Sequence, residues 1–457
     1  MHNPVYYVDM EKMSMKLNQN VFVHETDRAA MEALQAIPGF SQVMKAFLSS
    51  WSEKAMYIEN MASYVRISEK QFPKYDQMLK DVCAKLGIEK PDLFLKLDVV
   101  PNAYTSGETR PFIVITSGLL NIMPEELLPT VLAHECGHIV CHHVLYRTMG
   151  TWVLSGALTL VPLGAIAIYP IMSAFHHWMR CSELSADRAA VLCDGSPDHL
   201  IEMCMRFAGG DKKIASQMNV EAFMEQAQEY RKLVSDSKYN KTLEFMRFSQ
   251  ATHPINAVRA LECYEWTQTE NYRHAKEYFR QYQNGAQPDS LPVSWNEKSF
   301  NGKDVTAVTK QLEELGFTNV KAVPTTDRNL FDRERSVTSV SVSQPDWKES
   351  DWVDRDALIE VKYYNPGTKE SSSRAASIRM AHSNSWYAGK TKAEAEEELT
   401  AAGFTDISFE PMKDIIDEFD RARNTVFTVS VNGRQVFRRG EVFPKDAKAV
   451  ITYHEML

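Results

Sequence analysis

His134-Glu135-Cys136-Gly137-His138 puts two imidazoles and a carboxylate within five residues. On a helix His134 and His138 fall one turn apart, about 5–6 Å between Cβ atoms, so both can reach one ion. Zinc, one per chain, is the expected ion, because imidazole nitrogen is among its preferred ligands. Glu135 would then stand beside the ion, near enough to hydrogen-bond a water on the zinc without ligating the metal, which is where a general base belongs. Two histidines leave a catalytic zinc one protein ligand short. A candidate source is the stretch Arg180 to Asp187, within a segment of helical character from Trp178 to Cys193 that stops at Asp194-Gly195-Ser196-Pro197. Glu183 and Asp187 are one turn apart there, so both can face the first helix.

These blocks resemble the M48-type zinc metallopeptidases, the family of the membrane CAAX-processing and HtpX-like proteases and several soluble relatives. Its H-E-x-G-H pattern matches residues 134–138, and its R-x-x-E-x-x-A-D pattern matches Arg180, Glu183, Ala186 and Asp187. Asn102-Ala103-Tyr104 and Ile115 to Leu120 are similar to the strand segments before the family's zinc helix. Thr252-His253-Pro254 with Arg259 is similar to its T-H-P-x-x-x-x-R element. The resemblance covers about residues 25–265. It implies His134, His138 and Glu183 as ligands, Glu135 as catalytic base, and His253 as a donor to the oxyanion of the tetrahedral intermediate. Arg259 would orient His253 or bind a carboxylate. Asp187 is expected to orient a ligand histidine or to pair with Arg180; ligation by Asp187 as well would close the site and make it structural.

Around these residues the elements read as follows. Helical spacing of Leu34, Val43, Phe47 and Trp51, then Met78, Val82 and Leu86, predicts helices from about Asp27 to Leu86, broken at Pro38-Gly39 and Phe72-Pro73. Leu93 to Val99 alternates as a half-buried strand, and Phe112 to Thr116 is a second strand. The segment around Asn102 to Thr105 is the candidate edge on which an extended peptide would add as a strand, with Asn102, Ala103 and Tyr104 as the substrate-binding residues. His142, His143, His176 and His177 are read as structural.

From Thr148 to Met179 there is no Lys, Arg, Asp or Glu, and Trp152 to Phe175 is long enough on paper to cross a bilayer. A single crossing would carry Glu183 away from the histidines. Pro162, Gly164 and Pro170 divide the stretch into pieces near ten residues, about 15 Å each as helix. The expectation is an apolar helical hairpin over residues 151–177, either buried against the catalytic domain, covering the cleft, or touching a membrane surface.

A net charge of −9 with a pI near 5.9 gives no broad basic surface, which argues against a nucleic-acid partner. Seven cysteines without a C-x-x-C pair read as buried, reduced thiols of a cytoplasmic protein, peripheral to a membrane at most, and the N-terminus carries no secretory signal. Cys136 is assigned to packing.

After Gln283 to Pro288 the composition shifts and a unit repeats. Gly302-Lys303, a helix and Leu315-Gly316-Phe317-Thr318-Asn319-Val320 recur 87 residues later as Gly389-Lys390, a helix and Ala402-Gly403-Phe404-Thr405-Asp406-Ile407. Val337 to Val342 corresponds to Val426 to Val431, and Asp356 to Tyr364 to Asp446 to His454, so each copy reads helix, strand, strand, strand. The pattern resembles PASTA-like domains and implies modules that bind a partner, self-associate or extend the structure.

The fold class expected is α+β: a mostly helical, zincin-like metallopeptidase domain with a small sheet over residues 1–285, then PASTA-like repeats at 296–366 and 384–457. The function expected is a zinc-dependent endopeptidase with a gated cleft, acting on protein or peptide substrates. The alternatives are a zinc-containing binding or chaperone-like protein without turnover, and a membrane-associated protease acting on membrane proteins.

Overall fold

Four short helices lead into the sheet that carries the cleft. The computed structural model describes residues 17–156, 165–211, 213–249, 251, 255–326, 333–344, 347–348, 351–366, 378–415, 422–444 and 447–456. The helices α1 (Glu25–Gln35) and α3 (Glu53–Ser63) are N-capped by the side chains of His24 and Ser52; α2 (Phe40–Ser50) lies between them. After β1 (Val65–Ile67), α4 (Pro73–Leu86) opens on a proline that needs no N–H partner and closes at Gly87, whose φ of 64° suits a residue without Cβ.

The strands β2 (Asp92–Lys96), β3 (Ala103–Ser106) and β4 (Phe112–Thr116) complete a four-stranded sheet in the order β1-β2-β4-β3. β2 and β4 run parallel, whereas β3 is antiparallel to β4 and forms an outer strand. Every residue of β4 is buried, which accounts for its unbroken apolar run Phe-Ile-Val-Ile. Its alternate side chains serve two cores. Ile113 and Ile115 join the main one with Leu93, while Phe112 and Val114 pack with Phe94 and Tyr104 on the other face.

Next come α5 (Ser117–Ile122), α6 (Leu128–Val140), α7 (Val144–Leu154) and α8 (Ala165–Asp194). Pro170 does not divide the apolar stretch as expected. It sits inside α8, which runs through it for 30 residues, so the second arm of the hairpin and the helix bearing Glu183 are one element. A proline that close to a helix start removes a single hydrogen bond, and the side chains beyond it are firmly packed. Ile171, Phe175 and Trp178 from α8, with Met149 and Val153 from α7, share a core with Leu34, Phe40, Val43 and Phe47 of α1 and α2. One face of the described part of the apolar hairpin is therefore covered by the N-terminal helices, while Tyr169 and Pro170 are exposed. The hairpin tip, 157–164, lies outside the described residues. Among the described residues no helix is long and apolar enough to cross a membrane.

The helices α9 (Asp198–Gly209), α10 (Val220–Ser235), α11 (Lys238–Phe248), α12 (Asn256–Thr267) and α13 (Glu270–Gln283) follow. The remaining chain repeats one architecture. In the first copy, β5 (Ser290–Pro292), α14 (Val305–Glu314), β6 (Val320–Thr325), β7 (Val337–Val342), β8 (Trp352–Asp354) and β9 (Ile359–Tyr364) form a sheet ordered β6-β9-β7 and a pair β5-β8. In the second, β10 (Ile378–Arg379), a short α15 (Asn384–Tyr387), α16 (Lys392–Ala402), β11 (Asp406–Ile415), β12 (Val426–Val431), β13 (Val442–Phe443) and β14 (Lys448–Met456) form β11-β14-β12 and the pair β10-β13. The repeating unit thus has two strands beyond the three legible in the sequence, one before the helix and one in the long insertion. Residues 1–323 with 336–363 form one compact unit, and 324–335 with 364–457 a second. The result is an α+β architecture whose sheet is small beside its helices.

α6 and α8 approach so closely at Gly137 that a Cβ there would lie 2.9 Å from Cβ of Ala189 and 3.1 Å from Cα of Ala186. Gly137→Val is expected to lower stability by about 1–3 kcal/mol, the usual cost of overpacking a filled core. Urea unfolding in the presence of a chelator, so that metal plays no part, measures it.

Candidate metal centre and cleft

The crossing at Gly137 sets the geometry of the site. His134 and His138 project from α6 toward Glu183 of α8, and the ligating atoms of the three lie within 4.8 Å of one another, all buried. Nε2 of His134 is 3.3 Å from Oε2 of Glu183, and Nε2 of His138 is 3.4 Å from Oε1. Donors held about 2.1 Å from a tetrahedral zinc are separated by about 3.4 Å. The residues present therefore fit a zinc ion in number, chemistry and spacing.

The surrounding charges suit such an ion. Burial works against a charged His134, yet hydrogen bonds to Asp187 and Glu183 outweigh it and raise the imidazole to about 9. Burial and the nearby Arg147 guanidinium depress His138 well below its usual value. Two imidazoles beside one carboxylate thus attract a single positive charge, which a divalent cation would supply in place of the proton.

The carboxylate of Asp187 is fully buried and stands behind the histidine. Its Oδ1 is 2.8 Å from Nδ1 of His134, and Arg259 on α12 clamps it with two bonds, Nε to Oδ2 at 2.8 Å and Nη2 to Oδ1 at 2.5 Å. Burial would raise this carboxyl, but the Arg259 charge and its hydrogen bonds carry it below the ordinary value. Arg180 does not take the position expected for it. Its Nη1 donates to the carbonyls of Ser249 and Ala251 at 2.8 and 2.9 Å, so the partner of Asp187 is Arg259 alone of the two. These bonds hold the chain just before Thr252-His253-Pro254. That tripeptide, with the His253 assigned to the oxyanion, lies outside the described residues.

Glu135 faces a cavity of about 180 Å³ lined by Pro101, Asn102, Ala103, His134, Glu183 and Arg259 among others. The residues of the expected edge divide between the two faces of the sheet. Asn102 and Ala103 line the cleft, but Tyr104 points to the opposite face of the sheet, packed on Phe94, Phe112 and Val114. The alternation of a strand hands the next position to the site instead. Thr105 Oγ1 donates to Oε2 of Glu135 at 2.6 Å. Period-two reading from Ala103 would have found it.

Arg147 was not singled out from the sequence, and His143 was assigned no part in the site. Arg147 on α7 places Nη1 2.6 Å from Oε1 of Glu183 and 3.1 Å from Ser182 Oγ. His143, read as structural, has Nδ1 3.0 Å from Nδ1 of His138. By contrast Cys136 packs beside Cys83, Sγ to Sγ 4.0 Å, and all seven cysteines are buried and unpaired as disulfides.

A sequence model described as "Peptidase family M48" matches residues 69–267. A protein of Arabidopsis thaliana named "Plastoglobule-localized metallopeptidase 48, chloroplastic" is 36% identical over 260 residues, which is 56% of this chain and 75% of that protein. A "Protease HtpX homolog" of Ralstonia nicotianae is 25% identical over 192 residues, 36% of this chain and 66% of that protein. Among solved structures, three PASTA domains of a Ser/Thr kinase from Staphylococcus aureus match 37% of this chain and 67% of theirs, at 14% identity and a TM-score of 0.17.

Replacing Arg259 leaves Asp187 buried without its charge partner. Arg259→Leu is expected to cost about 3–5 kcal/mol of folding stability. Arg259→Lys, a point charge that cannot fork onto both oxygens, recovers only part of it. The urea midpoint in chelator reads both.

Proposed function

The chain belongs to peptidase family M48, and from that premise we propose that it is a zinc-dependent metalloendopeptidase whose ligands are His134, His138 and Glu183. The observation that carries this reading is the set of three buried donors at zinc spacing with a further carboxylate, Glu135, turned to an adjoining cleft. A purely structural site has no use for Glu135. A bound zinc would act as a Lewis acid on the scissile carbonyl and lower the pKa of a nearby water.

The chain's own groups do the rest. Glu135 takes the proton from the attacking water and returns it to the leaving amine. Thr105 holds one oxygen of that carboxylate and leaves the other for the water. Asp187, fixed by Arg259, keeps the Nδ1 proton of His134 directed away from the ion site, so that Nε2 is free to ligate. His253, on family resemblance, donates to the developing oxyanion.

Substrate enters as an added strand. β3 is one of the two outer strands of its sheet, and its start at Ala103 with the chain just before it lines the cleft. The loop leading there exposes Leu97 and Val99, 91% and 89% accessible, an apolar lip suited to unfolded segments. A cleft this small requires opening before a polypeptide can lie in it, which is the gating expected from the sequence. The peptidase domain is assigned to residues 1–285 and the repeats to 296–366 and 384–457, the latter as non-catalytic modules for a partner or for self-association. A cytoplasmic location, in contact with a membrane surface at most, agrees with seven unpaired thiols.

The test is cleavage of casein together with zinc content by mass spectrometry. Wild type should hold one zinc and cleave in a chelator-sensitive way. Glu135→Gln should lose about 10²–10⁴-fold in activity with zinc retained; loss of zinc from this variant would remove its assigned role. Glu183→Ala should lose the metal, and full occupancy there would place the third ligand elsewhere. Zinc without any cleavage in wild type would favour a binding protein. Thr105→Val, which removes a hydrogen bond to a charged group worth about 1.5–3 kcal/mol, should lower kcat by about 10–100-fold with zinc content unchanged.

A further inference from the structure

Each of the two ligand histidines has a carboxylate behind it, and only one of these belongs to the motifs already discussed. His134 meets Asp187 directly. His138 meets His143, and His143 places Nε2 2.9 Å from Oδ2 of Asp27 on α1. Asp27 lies outside the residues matched by the family, 69–267, and is 3% exposed. Its other partners are Trp178, whose Nε1 donates to Oδ1 at 2.9 Å, and Ser185, whose Oγ donates to Oδ2 at 2.6 Å while accepting from the backbone N–H of His24. Three donors converging on one buried carboxylate hold it ionised.

The direction of every hydrogen bond along this line follows from its two ends, Asp27 and a His138 that ligates through Nε2 and so carries its proton on Nδ1. A carboxylate can only accept, so Nε2 of His143 carries a proton. With the proton between the two Nδ1 atoms on His138, Nδ1 of His143 is the acceptor. Neutral His138 with its proton on Nδ1 presents a bare Nε2, the atom that faces Glu183.

The backbone is arranged to bring His143 into this position. α6 ends in a turn in which the N–H of His142 bonds to the carbonyl of Ile139 and that of His143 to the carbonyl of His138. The turn requires a left-handed residue, and His142 adopts φ 56° although it is not glycine. That turn folds His143 back over the ring of His138, with centroids 5.3 Å apart.

We propose that Asp27 is a positioning residue of the metal centre: through His143 it fixes the tautomer and ring orientation of His138, making α1 part of the peptidase site. The inference rests on the zinc-peptidase reading and fails separately from it. In this chain the ligand, the intermediary and the anchor come from α6, the α6–α7 turn and α1, so the site is complete only when the N-terminal helix is docked.

The experiment is zinc affinity of the full chain, measured by competition with a chromophoric chelator, for wild type, Asp27→Asn, His143→Leu and the double variant. Asp27→Asn should bind zinc about 10–100-fold more weakly. His143→Leu should show a similar loss, and the double variant no further loss, because the two act in series. The visible spectrum of the cobalt-substituted protein should change in both single variants. Thermal unfolding in chelator identifies variants that remain folded; if Asp27→Asn does not fold, His143→Leu carries the same prediction through affinity and spectrum. Unchanged affinity and spectrum in the folded variants, or fully additive losses, would overturn the proposal and reduce Asp27 to packing. A wild type that holds no zinc and cleaves nothing would instead overturn the peptidase reading beneath it.

Discussion

The approach of α6 to α8 at Gly137 is the constraint on which the site depends. Without a Cβ at that position the two backbones can come within contact of Ala186 and Ala189. Only at that separation do imidazoles from one helix and a carboxylate from the other stand about 3.3–3.4 Å apart. A larger residue would wedge the helices and open those distances beyond what one ion can bridge. The glycine inside the H-E-x-G-H motif is thus a packing residue with a chemical consequence, flanked by residues that carry the chemistry.

Close packing has a cost, since it takes several carboxylates out of water at once. A buried charge is tolerated only when paired and hydrogen-bonded. Around this cleft the pairing is spread over different helices: Arg259 of α12 serves Asp187, Arg147 of α7 serves Glu183, and His143 after α6 serves Asp27 of α1. No one of these helices can slide without leaving a charge uncompensated. The electrostatic requirement of the buried carboxylates therefore fixes the orientation of elements that touch no ligand, and it does so with a specificity that apolar packing alone lacks.

This distribution decides what could be read from the chain. His134, Glu135 and His138 were legible because helical period places them together, and Glu183 and Asp187 because one turn separates two carboxylates on a second helix. The strand from Phe112 and the start of the strand at Leu93 followed from periodicity in the same way, although β2 ends at Lys96 and leaves Leu97 and Val99 exposed. Thr105 lay within the expected edge, and period two from Ala103 turns its side chain to the site, but its bond to Glu135 has no local signal in the sequence. Arg147, His143 and Asp27 were out of reach, since the contact between Asp27 and His143 spans more than a hundred residues and nothing local to either distinguishes it from a satisfied core group. The course of α8 was misread for a different reason. A proline is a strong signal against helix only where its missing hydrogen bond is not outweighed, and here Ile171, Phe175 and Trp178 are held by the core that α1 and α2 close.

The two C-terminal copies carry the same lesson about context. Their helices and sheets correspond strand for strand, yet their cores are used differently. In the first copy Leu291, Val293, Trp295 and Val353 join the core that contains Val140, Tyr278 and Tyr282 of the peptidase region, and Trp352 lies over the ring of His274. In the second, Phe443 occupies the place of Val353 inside a core of its own, with Ile378, Tyr387, Phe404 and Phe437, while Val442, the counterpart of Trp352, is exposed. One aromatic side chain at the start of a two-residue or three-residue strand is enough to distinguish a copy welded to the helices from a copy with a separate core. The apolar core that contains the metal helix consequently extends past the linker at Gln283 to Pro288 and takes in residues of the first repeat. The first repeat thus shares its core with the helices that carry the site, whereas the second supplies its own.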